Sequence, residues 1–192
     1  RARGDDPDRA AARAAPAVVP AAAAAARIGT GSGLYPHSHG TNGGSALFRA
    51  KNVSVETNGG INAVGLGFAG GRASDVLGKG PGGGKWNSNG AGGGGAHGGQ
   101  GGTCRYGGLH NATTYGSSNA PVHAGSGGGS GYDTGVGGTG GGVVRIEASG
   151  VITLNGTMDA RGENDPPNRE HAGGGAGGSI YLRCRVIEGD AT

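Results

Sequence analysis

The sequence has few of the side chains that usually build a protein core. Aromatic residues make up 4% of its 192 residues, and no stretch of about 10 to 12 residues carries the apolar stripe of an amphipathic helix. The sequence therefore predicts no large core of packed helices. No run of about 18 apolar residues is present either, so the sequence predicts no transmembrane segment.

Charged residues are also few, and they form no concentrated patch. The formal net charge is +3, and the arginines are spread along the chain. Proteins that bind nucleic acid usually combine a basic patch with aromatic side chains on which bases stack. Trp86 and the five tyrosines are isolated from one another. These features predict that the chain does not bind nucleic acid.

Cysteine occurs twice, at Cys104 and Cys184. The pair could form one disulfide in an oxidising compartment or remain two buried thiols, and the spacing does not decide between these states. Three matches to the N-glycosylation pattern, at Asn52, Asn111 and Asn155, favour an extracellular or cell-surface location with covalent glycans.

Glycine is the residue in excess, with 50 copies beside 8 prolines. A share of about 30% for these two residues is typical of disordered chains. Disorder is opposed by three short runs of alternating apolar residues, which a disordered linker has no physical reason to keep. A collagen helix is excluded because the glycines cluster and keep no three-residue repeat. In segments 78–102 and 124–142 the glycine density predicts polyproline-II-like coils that stack through their backbones.

Three related segments each follow a Gly-Gly pair and read SALFRAK, VVRIEAS and SIYLRCR, beginning at residues 45, 143 and 179. Alternate side chains of a strand share one face, so the second, fourth and sixth residues of each segment should face a common core. The core residues predicted in this way include Phe48, Val144, Ile146, Ile180 and Leu182. The first two segments continue through Val53–Val55 and Ile152–Leu154 into a glycine turn and a further strand.

The chain divides into two parts by composition. Residues 1–27 form an Ala/Arg/Pro-rich arm that ends in Ala21 to Ala26, a run with the composition of a short helix but no face to bury by itself. We expect this arm to be ordered by assembly with a neighbouring subunit. Residues 28–192 form a single glycine-rich β-domain. The predicted fold is all-β, a β-solenoid or stacked β-layers with interleaved polyproline-II-like coils, whose uncapped strand edges favour a homo-oligomer or filament.

The order of the glycine clusters and of the residues between them resembles a known family. The matching features are Gly82 to Gly84, a glycine run around His97, Tyr115, Pro121, and the strands that begin at Val143 and Ser179. Over roughly residues 40 to 189 the chain resembles the large glycine-rich secreted or cell-surface proteins of plants, algae and oomycetes. The resemblance implies an extracellular β-solenoid-like domain, and it brings no catalytic residues with it.

Motifs that could hold a cofactor or a metal are few. Residues 65–70 match the dinucleotide fingerprint G-x-G-x-x-G, but a glycine-rich chain produces such matches by chance and no helix is predicted after this one. His37 and His39 supply two imidazoles, whereas a metal needs three or four ligands. Residues 128–136 nearly match a calcium-binding repeat that has no tandem copy here. The sequence therefore predicts no cofactor, no metal site and no catalytic residue.

Two functions fit these features. The first is a non-enzymatic structural protein, a self-assembling subunit of an extracellular fibre or wall. The alternative is a carbohydrate-binding or polysaccharide-cleaving β-solenoid. Its sugar platform would consist of Trp86, Tyr106, Tyr115 and Tyr132, and its candidate carboxylates would be Glu147, Asp159 and Asp133.

Overall fold

The computed structural model describes residues 23–87, 90–103, 112–131, 135–164 and 171–190. Within these residues the chain forms nine strands and no helix, which confirms the all-β prediction. No helix capable of crossing a membrane is found in this part of the chain. The strands are β1 (Ala23–Ile28), β2 (Gly33–Leu34), β3 (Leu47–Val55), β4 (Gly60–Asn62), β5 (Val143–Ala148), β6 (Val151–Leu154), β7 (Thr157–Asp159), β8 (Ser179–Arg183) and β9 (Val186–Glu188).

All the named strands pair in parallel. In the larger sheet, β3 pairs with β1 along one edge and with β5 and β6 along the other, while β8 and β9 pair with β5 and β6. The smaller sheet contains β2, β4 and β7 in that order. The strands therefore lie on four successive levels. Level 1 is residues 23–34, level 2 is 47–62, level 3 is 143–159 and level 4 is 179–188.

The hydrophobic core lies between the two sheets. In β5, Val144, Ile146 and Ala148 are buried, and the residues between them point outward. The larger sheet also contributes Ile152, which is fully buried, and the smaller sheet contributes Ile61. Burial of each such Val or Ile side chain contributes roughly 1.5–3 kcal/mol to folding. The alternating sequence pattern thus forms strands because it gives them one apolar face.

The predicted core residues occupy different positions relative to this core. Val144 and Ile146 are fully buried, whereas Phe48 and Leu182 are partly buried and pack against the buried cluster. Ile180 differs from its prediction because 40% of it is exposed. It pairs with Val144 and faces the same side, but no described strand lies beyond β8 to cover it.

The described part of the alanine run at the end of the predicted arm is a strand, not a helix. Residues Ala23–Ile28 form β1 and pair with residues 50–55 of the same chain. Alanine prefers the helix in isolation, but the backbone hydrogen bonds to β3 and the packing of Ile28 against the core decide the outcome. Residues 1–22 lie outside the described residues, so their ordering by a neighbouring subunit stays a prediction.

The described residues between β4 and β5 and between β7 and β8 form a glycine-rich body, and none of these described residues belongs to a named strand. Residues 124–131 lie at its centre and are all buried. We call them the central segment. Extended neighbours surround this segment and bond to it through their backbones at three-residue spacing. From the central segment, the N–H groups of Gly125 and Gly128 donate to the carbonyl oxygens of Gly141 and Gly138, and those of Gly127 and Ser130 donate to Lys79 and Val76. Toward the central segment, the N–H groups of Phe68 and Gly71 donate to the carbonyl oxygens of Gly125 and Gly128. Those of Ala176 and Gly173 donate to Ser126 and Gly129.

A second, small hydrophobic cluster joins the body to the strand levels. It consists of Phe68, Ala124 and Val143, all of which are buried. Ala124 begins the central segment, and Val143 begins β5. The two regions therefore share packed side chains where the chain passes from one to the other.

Candidate functional site

The glycine-rich body depends on the absence of side chains at its contacts. A Cβ atom added at Gly70, Gly128 or Gly140 would overlap a backbone carbonyl oxygen of a neighbouring segment. At Gly99 the same atom would meet nothing within 4 Å. Glycine at the packed positions is thus a steric requirement, because it lets backbones approach closely enough to bond directly.

The aromatic rings of His97 and Tyr115 line an open cleft in the surface of this body, and a third ring, that of His123, contacts Tyr115. The rings of His97 and Tyr115 have centroids 4.7 Å apart and are tilted by 43°. The ring of His123 meets Tyr115 edge-on at 6.2 Å. His97 Nδ1 lies 3.0 Å from the carbonyl oxygen of Gly177, so this imidazole fastens one glycine segment to another. A histidine among glycines is surrounded by backbone carbonyls, which favours a contact of this kind.

The Tyr115 hydroxyl is held by a chain of hydrogen bonds that enters the central segment. It donates to the carbonyl oxygen of Ala124 and accepts from Ser126 Oγ at 2.9 Å. Ser126 Oγ in turn accepts from the Gly82 backbone N–H at 3.0 Å. Burial raises the pKa of the Tyr115 phenol, and the Ser126 hydrogen bond opposes this change. The phenol therefore stays protonated at neutral pH and continues to donate.

The cleft beside these rings has a volume of about 720 Å³. Its walls combine the aromatic pair with polar side chains and glycine backbone. The polar side chains are Gln100, Thr114, Ser117, Ser118 and Ser179. Small uncharged donors and acceptors beside an aromatic ring give the cleft the chemistry of a site for a polar, uncharged ligand.

Of the two described members of the predicted sugar platform, one lies at this cleft. Tyr115 lines it, but Trp86 is not among the lining residues and forms a local bridge with Gly92 instead. Tyr106 and Tyr132 lie outside the described residues. The structure therefore brings one member of the predicted platform to the cleft, together with His97.

The candidate carboxylates are bound to arginines. Glu147 contacts Arg49 at 3.0 Å and Arg145 at 3.1 Å, and these contacts, Arg49 foremost, lower the pKa of the Glu147 carboxyl. Asp159 lies in the other sheet, and its hydrogen bond with Arg161 lowers its pKa as well. A glycosidase needs one carboxyl with a raised pKa to act as the acid. Neither residue meets that requirement. The third candidate, Asp133, lies outside the described residues.

The cofactor-like motifs have structural surroundings. In the segment 65–70, Gly67 and Gly70 pack against carbonyl oxygens of residues 137–141, and no helix follows in the described ranges. His39 Nδ1 accepts hydrogen bonds from its own loop, from the Asn42 N–H among others. Among the residues that the structure describes, no group of three or more His, Cys, Asp or Glu side chains could hold a metal ion.

Two of the three predicted glycosylation residues are described. Asn52 lies in β3, where its Oδ1 accepts a hydrogen bond from the Val151 N–H at 3.0 Å. Asn155 lies between β6 and β7, and its Oδ1 accepts from the Asp190 N–H at 3.1 Å. The first bond connects levels 2 and 3, and the second connects level 3 to the residues that follow level 4. Both use Oδ1, whereas a glycan would be attached to Nδ2. Asn111 lies outside the described residues.

Cys184 is partly buried and packs against the hydrophobic core. It has no disulfide partner among the described residues. Cys104 lies outside them, so the choice between a disulfide and two thiols stays as open as the sequence left it.

The level 4 end of the strand stack is a further candidate surface. The sequence predicted uncapped strand edges but not which strands would carry them. Level 4 exposes apolar side chains, with Ile187 56% exposed and Val186 45% exposed. Beside it, a cleft of about 520 Å³ is lined by Leu154, Met158 and Leu182, among others. The strand β9 was not predicted, although its β-branched pair Val186-Ile187 is a signal that could have identified it.

Neither a protein-family model, nor a curated protein, nor a solved structure matches this chain.

Proposed function

We propose that this protein is a non-enzymatic structural component of a cell surface or extracellular matrix, and that it assembles into a fibre or wall as a repeating subunit. The observation that carries the proposal is the glycine-rich body, in which a buried central segment is fastened on several sides by backbone hydrogen bonds. Backbone bonds on several sides hold the segment rigidly in place. This rigidity suits a building element better than a catalyst.

The strand levels support a solenoid architecture. Every strand pairing is parallel, and each joins a strand of one level to a strand of the next level. In a solenoid each repeat contacts its neighbours alone, so further repeats can be added without changing those already formed. We therefore interpret levels 1 to 4 as successive coils of a short parallel β-solenoid.

The glycine-rich body supports the interpretation of its segments as polyproline-II helices. A polyproline-II helix has three residues per turn and makes no internal hydrogen bonds. Gly125 and Gly128 donate to one neighbour, and Ser126 and Gly129 accept from another, so each neighbour bonds at every third residue. This spacing is what a bundle of such helices requires.

An extracellular location rests on the resemblance and on the sequons. Asn52 is exposed and Asn155 is partly exposed, and the hydrogen bonds that connect them to neighbouring backbone use Oδ1. We expect glycans on these two residues when the protein passes through a secretory pathway. An intact mass equal to that of the bare polypeptide would remove this part of the proposal.

The test of the structural function is assembly of the purified, full-length chain. We expect sedimentation velocity to show growth with concentration, and electron microscopy to show filaments with a regular axial repeat. Amide hydrogens of the central segment should exchange far more slowly than those of an unstructured chain. Monomers at every concentration would contradict the assembly function, and rapid exchange in residues 124–131 would contradict the rigid body.

Carbohydrate binding is a second candidate, because the His97–Tyr115 cleft offers an aromatic pair beside uncharged polar groups. Polysaccharide cleavage has less support, since Glu147 and Asp159 are both paired with arginine. A glycan array would test binding with the wild type and with Gln100→Ala, which changes the cleft wall but not the hydrogen bonds of Tyr115. We expect Gln100→Ala to lose the glycan-binding signal and Trp86→Ala to keep it. No signal from the wild type would exclude this candidate.

A further inference from the structure

The two ends of the strand levels carry strand edges without a partner. At level 1, β1 pairs with β3, and no described strand pairs with its other edge. At level 4, β9 pairs with β6, and its other edge also has no partner in the described ranges. Both strands belong to the same parallel sheet. A second copy in the same orientation can therefore continue the sheet by placing its β1 beside β9 of the first copy.

The register of the sheet places opposite charges at the two ends of one column of side chains. Arg27 pairs with Ser54, Ser54 with Thr153, and Thr153 with Glu188. If the register continues into a second copy, Glu188 of the first copy lies directly opposite Arg27 of the second. Opposite charges at such positions stabilise strand pairing, and like charges oppose it.

Both charged groups are accessible for this contact. The Arg27 side chain is 70% exposed, although its Nε bonds to Glu56 at 3.1 Å in the same chain. A guanidinium has five N–H donors, so Arg27 can keep Glu56 and still bind a second carboxylate. Glu188 is exposed and accepts one hydrogen bond, from Thr153 Oγ1 at 3.1 Å.

The apolar neighbours of these charges are also complementary. Ile187 follows the core-facing column of Ala26, Val53 and Ile152, yet it is 56% exposed because no described strand covers it. In the continued register, Ala26 of a second copy lies opposite Ile187. The small alanine edge of level 1 can approach the larger isoleucine edge of level 4 without steric conflict, and the contact removes apolar surface from water.

We propose that copies of this chain assemble head to tail, by parallel pairing of β9 of one copy with β1 of the next, with Glu188 opposite Arg27. This inference rests on the proposed function as a self-assembling subunit, and it adds the surfaces, the register and the charge pair that make the contact. The resulting filament grows along the direction in which the four levels stack.

Charge reversal and complementation test the contact. Glu188→Arg places two arginines opposite each other, and Arg27→Glu places two glutamates there. We expect each single variant to need a protein concentration at least about tenfold higher than the wild type to assemble. An equimolar mixture of the two variants should assemble at nearly the wild-type concentration, because each contact in an alternating filament then joins opposite charges.

The matched control is Lys51→Glu. Lys51 is exposed on β3, in the interior of the stack, where its carbonyl oxygen accepts from the Gly150 N–H. This reversal changes the net charge by the same amount as Arg27→Glu, and we expect it to leave the assembly concentration unchanged. Hydrogen exchange of residues 124–131 should be the same in all variants, which separates loss of assembly from loss of folding. Glu188→Arg is the more direct variant, since Arg27→Glu also faces Glu56.

The outcomes distinguish this inference from the function on which it rests. Wild-type protein that stays monomeric overturns the assembly function and the contact with it. If the wild type forms filaments and both single variants form them equally well, the contact is overturned but the assembly function stands. Single variants that lose assembly and are not rescued by mixing also overturn the direct pairing of Glu188 with Arg27.

Discussion

The strand levels and the glycine-rich body are adjacent regions of one chain that are stabilised in different ways. In the strand levels, columns of Val and Ile fill the space between two sheets. In the body, the buried central segment is mostly glycine, and its contacts are backbone amides and carbonyls. One region needs side-chain volume and the other needs its absence. Removing carbon atoms should therefore harm the first region, and adding one carbon atom should harm the second.

The largest effect is expected from adding a methyl group to the central segment. The Cβ of Gly128→Ala would overlap the carbonyl oxygen of Gly173, which is backbone and cannot rotate away. Overpacking usually costs about 1–3 kcal/mol and more where no side chain can move, so we expect at least about 3 kcal/mol of lost stability. Urea unfolding followed by circular dichroism would measure it.

Gly99→Ala is the control for this change. Its Cβ would meet nothing within 4 Å, and its backbone is not in the left-handed region. The free energy of unfolding should stay within about 0.5 kcal/mol of the wild type. Equal losses in the two alanine variants would mean that close backbone contact does not hold the body together.

Removing side-chain volume should affect the strand levels almost as strongly. Ile146 is 1% exposed, in the centre of the core. Truncation of a buried isoleucine to alanine typically costs about 2–5 kcal/mol, and we expect about 3 kcal/mol for Ile146→Ala in the same urea experiment.

Ile180→Ala removes the same atoms from a residue that is 40% exposed at the end of the stack. We expect a loss of about 1 kcal/mol, because less surface returns to water and no closed cavity forms. A loss as large as that of Ile146→Ala in the monomer would show that level 4 is buried in solution, against its place at the end of the stack.

The same comparison explains which features the sequence could predict. Strands β3, β5, β6 and β8 were predictable because alternation along one strand is a local signal, and the same signal identified Val144 and Ile146 as core residues. Ile180 carries the identical signal but lies at the end of the stack. Its exposure depends on the number of levels, which a local pattern does not contain.

The features that the sequence did not predict depend on partners distant in the chain. The alanine run of β1 has helical composition and becomes a strand because β3 offers it an edge. Tyr115 and His97 are 18 positions apart in the sequence, and their rings meet because the fold brings their segments together. Glycine clusters predict close packing but do not specify which segments pack, so the cleft could not be located from composition.

Alkaline pH should affect the body before it affects the strand core. Burial raises the pKa of the Tyr115 phenol above its ordinary value of 10.0. In the unfolded chain the phenol therefore loses its proton at a lower pH than in the folded protein. The stabilisation from this residue is complete below pH 10 and is lost as the pH rises through the higher, folded value.

We expect Tyr115→Phe to lack this alkaline loss, while the remaining tyrosines provide the same background in both proteins. At neutral pH the variant should be less stable by about 1 kcal/mol, because the hydroxyl bonds to Ala124 and Ser126 are gone. Stability profiles of the two proteins that fall in parallel above pH 10 would contradict a protonated, buried phenol.

The smallest effect is expected from the outward face of the strand levels, where charges carry little of the stability. Hydrogen bonds from Arg49 and Arg145 lower the pKa of Glu147 below its ordinary value of 4.5. Its contribution is therefore present above that value and is lost as the pH falls through the lower, folded value. Glu147→Gln should lower the free energy of unfolding by no more than about 1 kcal/mol at pH 7, because ion pairs at a surface are screened by water and salt. The variant should also lack the loss of stability at acid pH, because it has no carboxyl to protonate. Chemical denaturation between pH 2 and 7, at low and high salt, would measure both effects. A penalty comparable to that of Ile146→Ala would mean that the ion pairs, and not the apolar columns, hold the sheets together.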